Sequence, residues 1–381
     1  MKIAIVHDYF IQMGGAEKVA EELHAIFPSS TMITTVDIRR TPGTVTSWMR
    51  YLPITERNHR LFFLLFPLAI ETLDLTAYDL IISSSSGYAK GIKKRKDAVH
   101  ICYCHTPMRW VWRYAEYAKR ESFGAVTRSI LPLLLSLLKK WDLAAAKRPD
   151  YYIANSNVVA DRIRNFYGRE SIVIPPPIDT GRFAGEGPDG DFYLILSRLA
   201  SYKRLDLAVE ACKRLDRPLI VIGDGPARRE LESIAGPKTH FLGRQVDQVV
   251  ADYARSCKAL LFPGEEDFGM TPVEINAAGR PVIAFRDGGA TETVVEGRTG
   301  VFFDQQSPES LMSAIQSFEP LSWDRQELIN HAEQFSREVF SSSMRQFVDS
   351  VAPATATKRA ISDKIRSSVF LSDTVSISVK P

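Results

Sequence analysis

A chain of 381 residues exceeds what one hydrophobic core usually serves, so two domains are expected, and 45% hydrophobic residues make them globular. The net charge of only +3 excludes a general nucleic-acid binder while leaving room for local basic patches. Four cysteines, Cys102, Cys104, Cys212 and Cys257, form neither a CxxC pair nor a disulfide framework, which fits a reducing cytoplasm and argues against a thiolate metal site.

The chain begins with the strand-like MKIAIVH, with no basic leader ahead of an apolar stretch, so no export signal is read. Short β-branched runs then alternate with amphipathic stretches, the pattern of parallel sheets with helices on both faces. Strands are predicted at 2–7, 31–36, 79–83, 99–104, 151–155 and 171–174. Three prolines, Pro175 to Pro177, interrupt the pattern and set a domain boundary after Ile174. A second array follows with strands at 192–197, 218–223, 240–243, 259–262, 281–285 and 300–303, closing a second domain near 335. Residues 330–351 read as a helix with Phe335, Val339, Met344 and Phe347 at near-helical spacing, its part from 336 returning to the first domain. From 352 to 381, weak periodicity in Ala, Ser, Thr and Lys predicts a poorly ordered tail. The fold class is therefore α/β, two doubly wound Rossmann-like domains, and ligands of such sheets bind beyond the carboxyl ends of the strands. The apolar runs Leu61 to Ile70 and Ile130 to Leu138 each contain proline and fall short of the ~20 residues that span a bilayer, so no crossing is expected.

The motifs gather after strands. Gly14 and Gly15 precede a helix patterned by Val19, Ala20, Leu23 and Phe27 and let backbone approach a ligand; a simple tight turn is the alternative, and the lack of GxGxxG weighs against a nicotinamide site. Lys90 to Lys96 carries five cations in seven residues, and Arg128 to Trp141 joins a leucine stripe to Lys139 and Lys140. Together they could touch anionic lipid, or be a solvated loop and a core helix. His105 stands where a strand ends and could meet a sugar hydroxyl, or merely stabilise the turn before Pro107. Asp189 and Asp191 resemble a paired-aspartate metal site, but they lie in a turn-rich stretch, so no metal is assigned. Arg198 and Lys203, between a strand end and a helix start, suit a diphosphate. Val221 to Pro226 supplies another glycine turn.

The segment EEDFGMTPVE sets Glu266 and Glu274 on either side of a helix start. Thr271 is predicted as N-cap, Pro272 as the first helical residue and Glu274 as the third, a capping box. The free N–H groups from about Gly269 to Val273 would suit phosphate, and the two carboxylates could accept sugar hydroxyls. In the plainer reading Glu274 only caps.

With these residues in view, the chain resembles, from Met1 to about Val351, the retaining, nucleotide-sugar-dependent glycosyltransferases of the glycogen-synthase-like group, glycosyltransferase family 4. The resemblance implies the GT-B fold, with an acceptor-binding domain at 1–174 facing a donor-binding domain at 175–335 across a cleft. It further implies that Glu274 holds the ribose, Glu266 a donor-sugar hydroxyl, Arg198 and Lys203 the diphosphate, and His105 the transferred sugar. Gly15 and the amides of Gly269, Met270 and Thr271 would approach from opposite domains, while Gly243 and Arg244 border the base. The form EEDFGMTPVE is similar to bacterial GDP-mannose-dependent mannosyltransferases that build exopolysaccharide or O-antigen on a polyprenyl carrier. That likeness implies GDP-mannose as donor, a lipid-linked glycan as acceptor, no cofactor or metal, and a cytoplasmic location peripheral to the inner face of the plasma membrane. A nucleotide-sugar epimerase on the same fold and a non-catalytic membrane-associated scaffold are the alternatives.

Overall fold

The computed structural model describes residues 1–11, 14–55, 58–113 and 125–351; the predicted tail and the side chain of Arg128 lie outside the described residues. The strands form two all-parallel sheets. In the first the spatial order is β3 (Val45–Thr46), β2 (Thr31–Thr34), β1 (Ile3–His7), β4 (Leu80–Ser85), β5 (Val99–Cys104), β6 (Tyr151–Ala154) and β7 (Ile172–Val173). In the second it is β10 (Thr239–Gly243), β9 (Leu219–Ile222), β8 (Tyr193–Leu196), β11 (Ala259–Phe262), β12 (Val282–Phe285) and β13 (Gly300–Phe303). Helices cover both faces of such sheets, so the central strands are near-continuous apolar runs. Ile5 lies between Met32 and Ile82, and Leu194 between Ile220 and Leu260. The short edge strand β3 carries too little apolar pattern to be foreseen.

Each order reverses beside its first strand, between β1 and β4 and between β8 and β11, which opens a crevice past their carboxyl ends. The two crevices meet. A Cβ placed on Gly15, after β1, would lie 2.8 Å from Met270 Sδ, after β11.

The crossings between domains run side by side. Ile178, on the outgoing chain, donates its N–H to Phe335 O at 2.8 Å and pairs with Ser336 on the returning chain. This contact breaks the predicted 330–351 helix in two. One helix spans Arg325–Glu333, and a second, residues 337–351, starts where Ser336 Oγ accepts from Val339 N. The returning helix buries Phe340, Met344, Val348 and Val351 against Ile5 and Ile101, while the expected stripe residue Val339 is exposed. The break re-phases the stripe. Phe347 still packs edge-on against Tyr151, and Arg337 pairs with Glu22. Among the described residues no helix is long and apolar enough to cross a membrane.

Candidate active site

Glycines set the second domain's half of the cleft. At Gly223 (φ +131) a Cβ would fall 1.9 Å from Ser197 O, so only glycine lets the turn after β9 lie beneath the loop after β8. Leu199 N donates to Asp224 O and Leu199 O accepts from Ala227 N, both at 3.0 Å, which fixes the loop carrying Arg198. At Gly264 a Cβ would lie 2.8 Å from Lys203 O. That close approach brings Lys203 Nζ to 2.5 Å from Glu266 Oε1. Burial works against the ammonium, but the Glu266 carboxylate outweighs it and holds the Lys203 pKa above its ordinary value.

The helix Met270–Ala277 departs from the predicted capping box. Its N-cap is Gly269, in the left-handed region at φ +87, and no side chain caps it. Thr271 and Pro272 are thus the second and third helical residues, and Glu274 is the fifth. Glu274 cannot reciprocate a cap at Thr271. The orphan donors shrink from the expected 269–273 to Gly269, Met270 and Thr271, because Pro272 has no N–H and Val273 is the first residue able to bond back within the helix. Burial raises the Glu274 pKa, with Asp247 and Asp179 adding and Lys18 and Arg182 opposing. Gly243 (φ +70) and the exposed Arg244 end β10, two strands from β8, where Gly243 O accepts from Gly223 N at 2.8 Å.

The first domain's half is built from imidazoles and hydroxyls. The last residues of β4 are buried serines, whose hydroxyls need partners. Ser84 Oγ lies 2.8 Å from His105 Nε2 and 3.0 Å from His7 Nδ1. Burial pushes His105 down to about 3, helped by His7 and opposed by Asp267, and burial also lowers His7. Both rings are neutral near pH 7. Gly14 is the N-cap of the helix Gly15–Ile26 with no side-chain cap bond, and its carbonyl accepts from Lys18 N at 3.2 Å.

Several residues that shape the cleft carry no sequence signal of their own. Asp8 accepts from Ser86 N at 2.6 Å, Tyr88 N at 2.8 Å and Ala89 N at 2.5 Å, tying β1 to the loop after β4. Arg109, Arg113 and Arg162 of the first domain reach Glu265 and Asp267 of the second. Their spacing is too long for any motif. Only the run of three acids, Glu265 to Asp267, marks the place.

Lys90 to Lys96 is not the open cationic patch expected. Lys90 is 1% exposed and pairs with Asp142 at 2.5 Å, because the run folds back on the helix Ala125–Ala145. Lys93, Lys94 and Arg95 pair with Glu71, Asp150 and Asp79. Trp141 is likewise no free anchor: it covers Gly91 and donates to Glu71 Oε1 at 2.7 Å. Lys139 sits over the Trp112 ring, while Leu133, Leu137 and Lys140 face outward. Asp189 pairs with Arg280 at 2.7 Å and Asp191 with Lys258 at 3.4 Å.

Residues 13–182 match the family described as Glycosyltransferase Family 4, and residues 182–335 the one described as Glycosyl transferases group 1. An uncharacterised glycosyltransferase of Methanocaldococcus jannaschii is 30% identical over 45% of this chain and 50% of its own length. A GDP-mannose-dependent phosphatidylinositol monomannoside mannosyltransferase of Mycolicibacterium smegmatis is 27% identical over 49% of this chain and 56% of its own length. The O-antigen chain mannosyltransferase C of Escherichia coli is 23% identical over 76% of this chain and 80% of its own length. The chain thus spans about half the length of the first two relatives and more of the third. Among solved structures, sucrose-phosphate synthase from Thermosynechococcus elongatus superposes with a TM-score of 0.71 at 18% identity, covering 93% of this chain and all of its own. Anabaena HepE in complex with UDP gives 0.64 at 16% identity, covering 92% of this chain and all of its own. These likenesses establish the two-domain GT-B fold.

Proposed function

This chain belongs to the group 1, family 4 glycosyltransferases, and we propose that it moves a sugar from a nucleotide-sugar donor to a glycan acceptor. The observation that carries this reading is the meeting of the two crevices, with Lys203 and Glu266 paired at 2.5 Å in one and Gly15 pressed against Met270 from the other. Breaking the anomeric C–O bond leaves negative charge on the departing nucleoside diphosphate and positive charge on the sugar. Fixed cations and amides beside the phosphates lower that barrier. In this reading Arg198 and Lys203 take the charge, and Gly269, Met270 and Thr271 add amides at the positive end of a helix. Glu266 accepts a donor-sugar hydroxyl, Glu274 the ribose hydroxyls, and Gly243 and Arg244 border the base. Gly14 and Gly15 approach from the first domain, where the neutral His105 exchanges a hydrogen bond with the transferred sugar. The cations make a metal unnecessary, so turnover in excess chelator is expected to equal that without it.

The finer reading is retaining transfer of mannose from GDP-mannose to a polyprenyl-diphosphate-linked glycan, as in exopolysaccharide or O-antigen synthesis. Its support is the form of EEDFGMTPVE and the mannosyltransferases among the relatives. Outward Leu133 and Leu137 beside Lys140 support a peripheral place on an anionic cytoplasmic membrane face. A test supplies labelled GDP-mannose and UDP-sugars with a polyprenyl-diphosphate saccharide, alongside thermal shifts with GDP, UDP and ADP. Label from GDP-mannose in the lipid fraction and a shift with GDP are expected. A clear preference for UDP would overturn the mannosyl reading, and an altered free nucleotide sugar from donor alone would overturn transfer in favour of epimerisation.

A further inference from the structure

Three consecutive acids in the donor loop point alternately into two domains. Asp267 lies 2.5 Å from Arg109 Nη2 and also binds Arg162; Glu265 lies 2.9 Å from Arg162 Nη2 and 3.0 Å from Arg113 Nη2. All three arginines belong to the first domain. Glu266, between the two acids, turns the other way to Lys203 of its own domain. Backbone bonds pin the same segment: Ser156 Oγ donates to Asp267 O at 2.6 Å, and Gly289 N to Glu266 O at 2.8 Å. Arg109 also lies over the ring of Tyr202, the neighbour of Lys203, at 5.7 Å. It therefore touches both arms of the site, the acid loop and the lysine turn.

We infer that Arg109, Arg113 and Arg162 form an interdomain clasp that positions Glu266, so that the donor site is complete only while the two domains are closed on each other. The inference rests on the donor site proposed above. Arg162 is the hub, because its guanidinium bridges both flanking acids, a planar two-carboxylate fit that lysine cannot copy. Each flanking acid is mostly shielded, with side chains 23% and 17% exposed, so its arginines are its main source of charge neutralisation. When the domains part, Glu265 and Asp267 lose those partners together, and among the described residues the segment keeps the Lys203 ion pair and the Gly289 amide bond of its own domain. The Glu266 carboxylate then has only Lys203 to aim it, its flanking residues being released, and it drifts from where a sugar hydroxyl would meet it. The clasp thereby makes closure a condition for catalysis as well as for the exclusion of water.

The test uses the full chain with Arg162→Met, which keeps the stem and removes the charge, Arg162→Lys, and Arg113→Met at a more exposed corner. Turnover, nucleoside diphosphate affinity and a spin-label distance between the domains are read together, with thermal unfolding as the check on folding. Displacement of Glu266 by about 1 Å can cost on the order of 10²-fold, so Arg162→Met is expected to lose about that in kcat with nucleotide affinity nearly kept. Arg113→Met should lose less, Arg162→Lys should recover part, and the distance should lengthen in the same order. Folded variants with wild-type turnover, or with unchanged domain distance, would overturn the clasp. If the distances respond while the wild-type chain transfers no sugar from any donor, the clasp stands as a closure device and the transfer reading fails.

Discussion

The two halves of this molecule share one plan and opposite chemistry. Both are parallel sheets wound outward from a central reversal, and both present strand ends and glycine turns to the same cleft. At the reversal of the first sheet stand His7, Ser84 and His105, buried and uncharged near pH 7. At the reversal of the second stand Lys203, Glu266 and their acidic neighbours, charged and paired. The plan decides where a ligand lies, and the side chains at the reversal decide which part of it each half meets. The charged reversal suits the diphosphate; the reversal lined by neutral imidazoles and hydroxyls suits sugar hydroxyls.

The largest expected effect tests whether the halves are separable. Phe340, on the last helix, is 2% exposed within the core of the first sheet. Phe340→Ala should therefore cost about 3–5 kcal/mol in denaturant unfolding of the first domain. A loss below about 1 kcal/mol would mean the returning helix is not part of that core. Lys203→Ala tests the charged half. It should lower kcat by about 10²–10³-fold with unchanged circular dichroism, because it removes a preorganised cation and leaves Glu266 unpaired. Near-normal transfer would remove the charge argument.

Acid should act on the neutral half first. Burial holds His100 and His105 near pKa 3, below the ~6.5 of an exposed imidazole. The unfolded chain binds more protons between those values, so this stability is complete above about pH 6.5 and is lost as pH falls toward 3. Below about pH 5.5 each ring should remove about 1.4 kcal/mol per pH unit. The second half holds no buried histidine among the described residues, so its unfolding should respond less to acid over that window. Hydrogen exchange resolved by domain from pH 7 to 5 checks the difference, and equal responses would break it. The smallest effect is His105→Ala, where one neutral hydrogen bond is lost. A drop of about tenfold in kcat, with the kcat profile flat near pH 6.5 in the wild type, is expected.

Much of the architecture was legible because parallel strands buried on both faces must be apolar runs, and those runs end where the glycines and charges begin. Arg198, Lys203 and Glu266 could be singled out through position after a strand, and the structure brings the Lys203 and Glu266 side chains together. Thr271 misled because a Thr-x-x-Glu pattern says nothing about the left-handed glycine two residues earlier, which starts the helix first. Lys90 misled because a run of cations looks solvated until Asp142, fifty-odd residues away, folds over it. The arginines of the clasp were invisible for the same reason: their partners lie 103 residues or more along the chain, a pairing that only the closed arrangement of the domains creates.

The most direct measurement is calorimetric titration of GDP and UDP into the wild-type chain and into Lys203→Ala. Saturable binding of one nucleoside diphosphate is expected, weakened about 10- to 100-fold in the variant, as removal of a charged hydrogen bond implies. Equal affinity in the two proteins, or no binding of either nucleotide to the wild type, would contradict a diphosphate held by the charged half of the cleft.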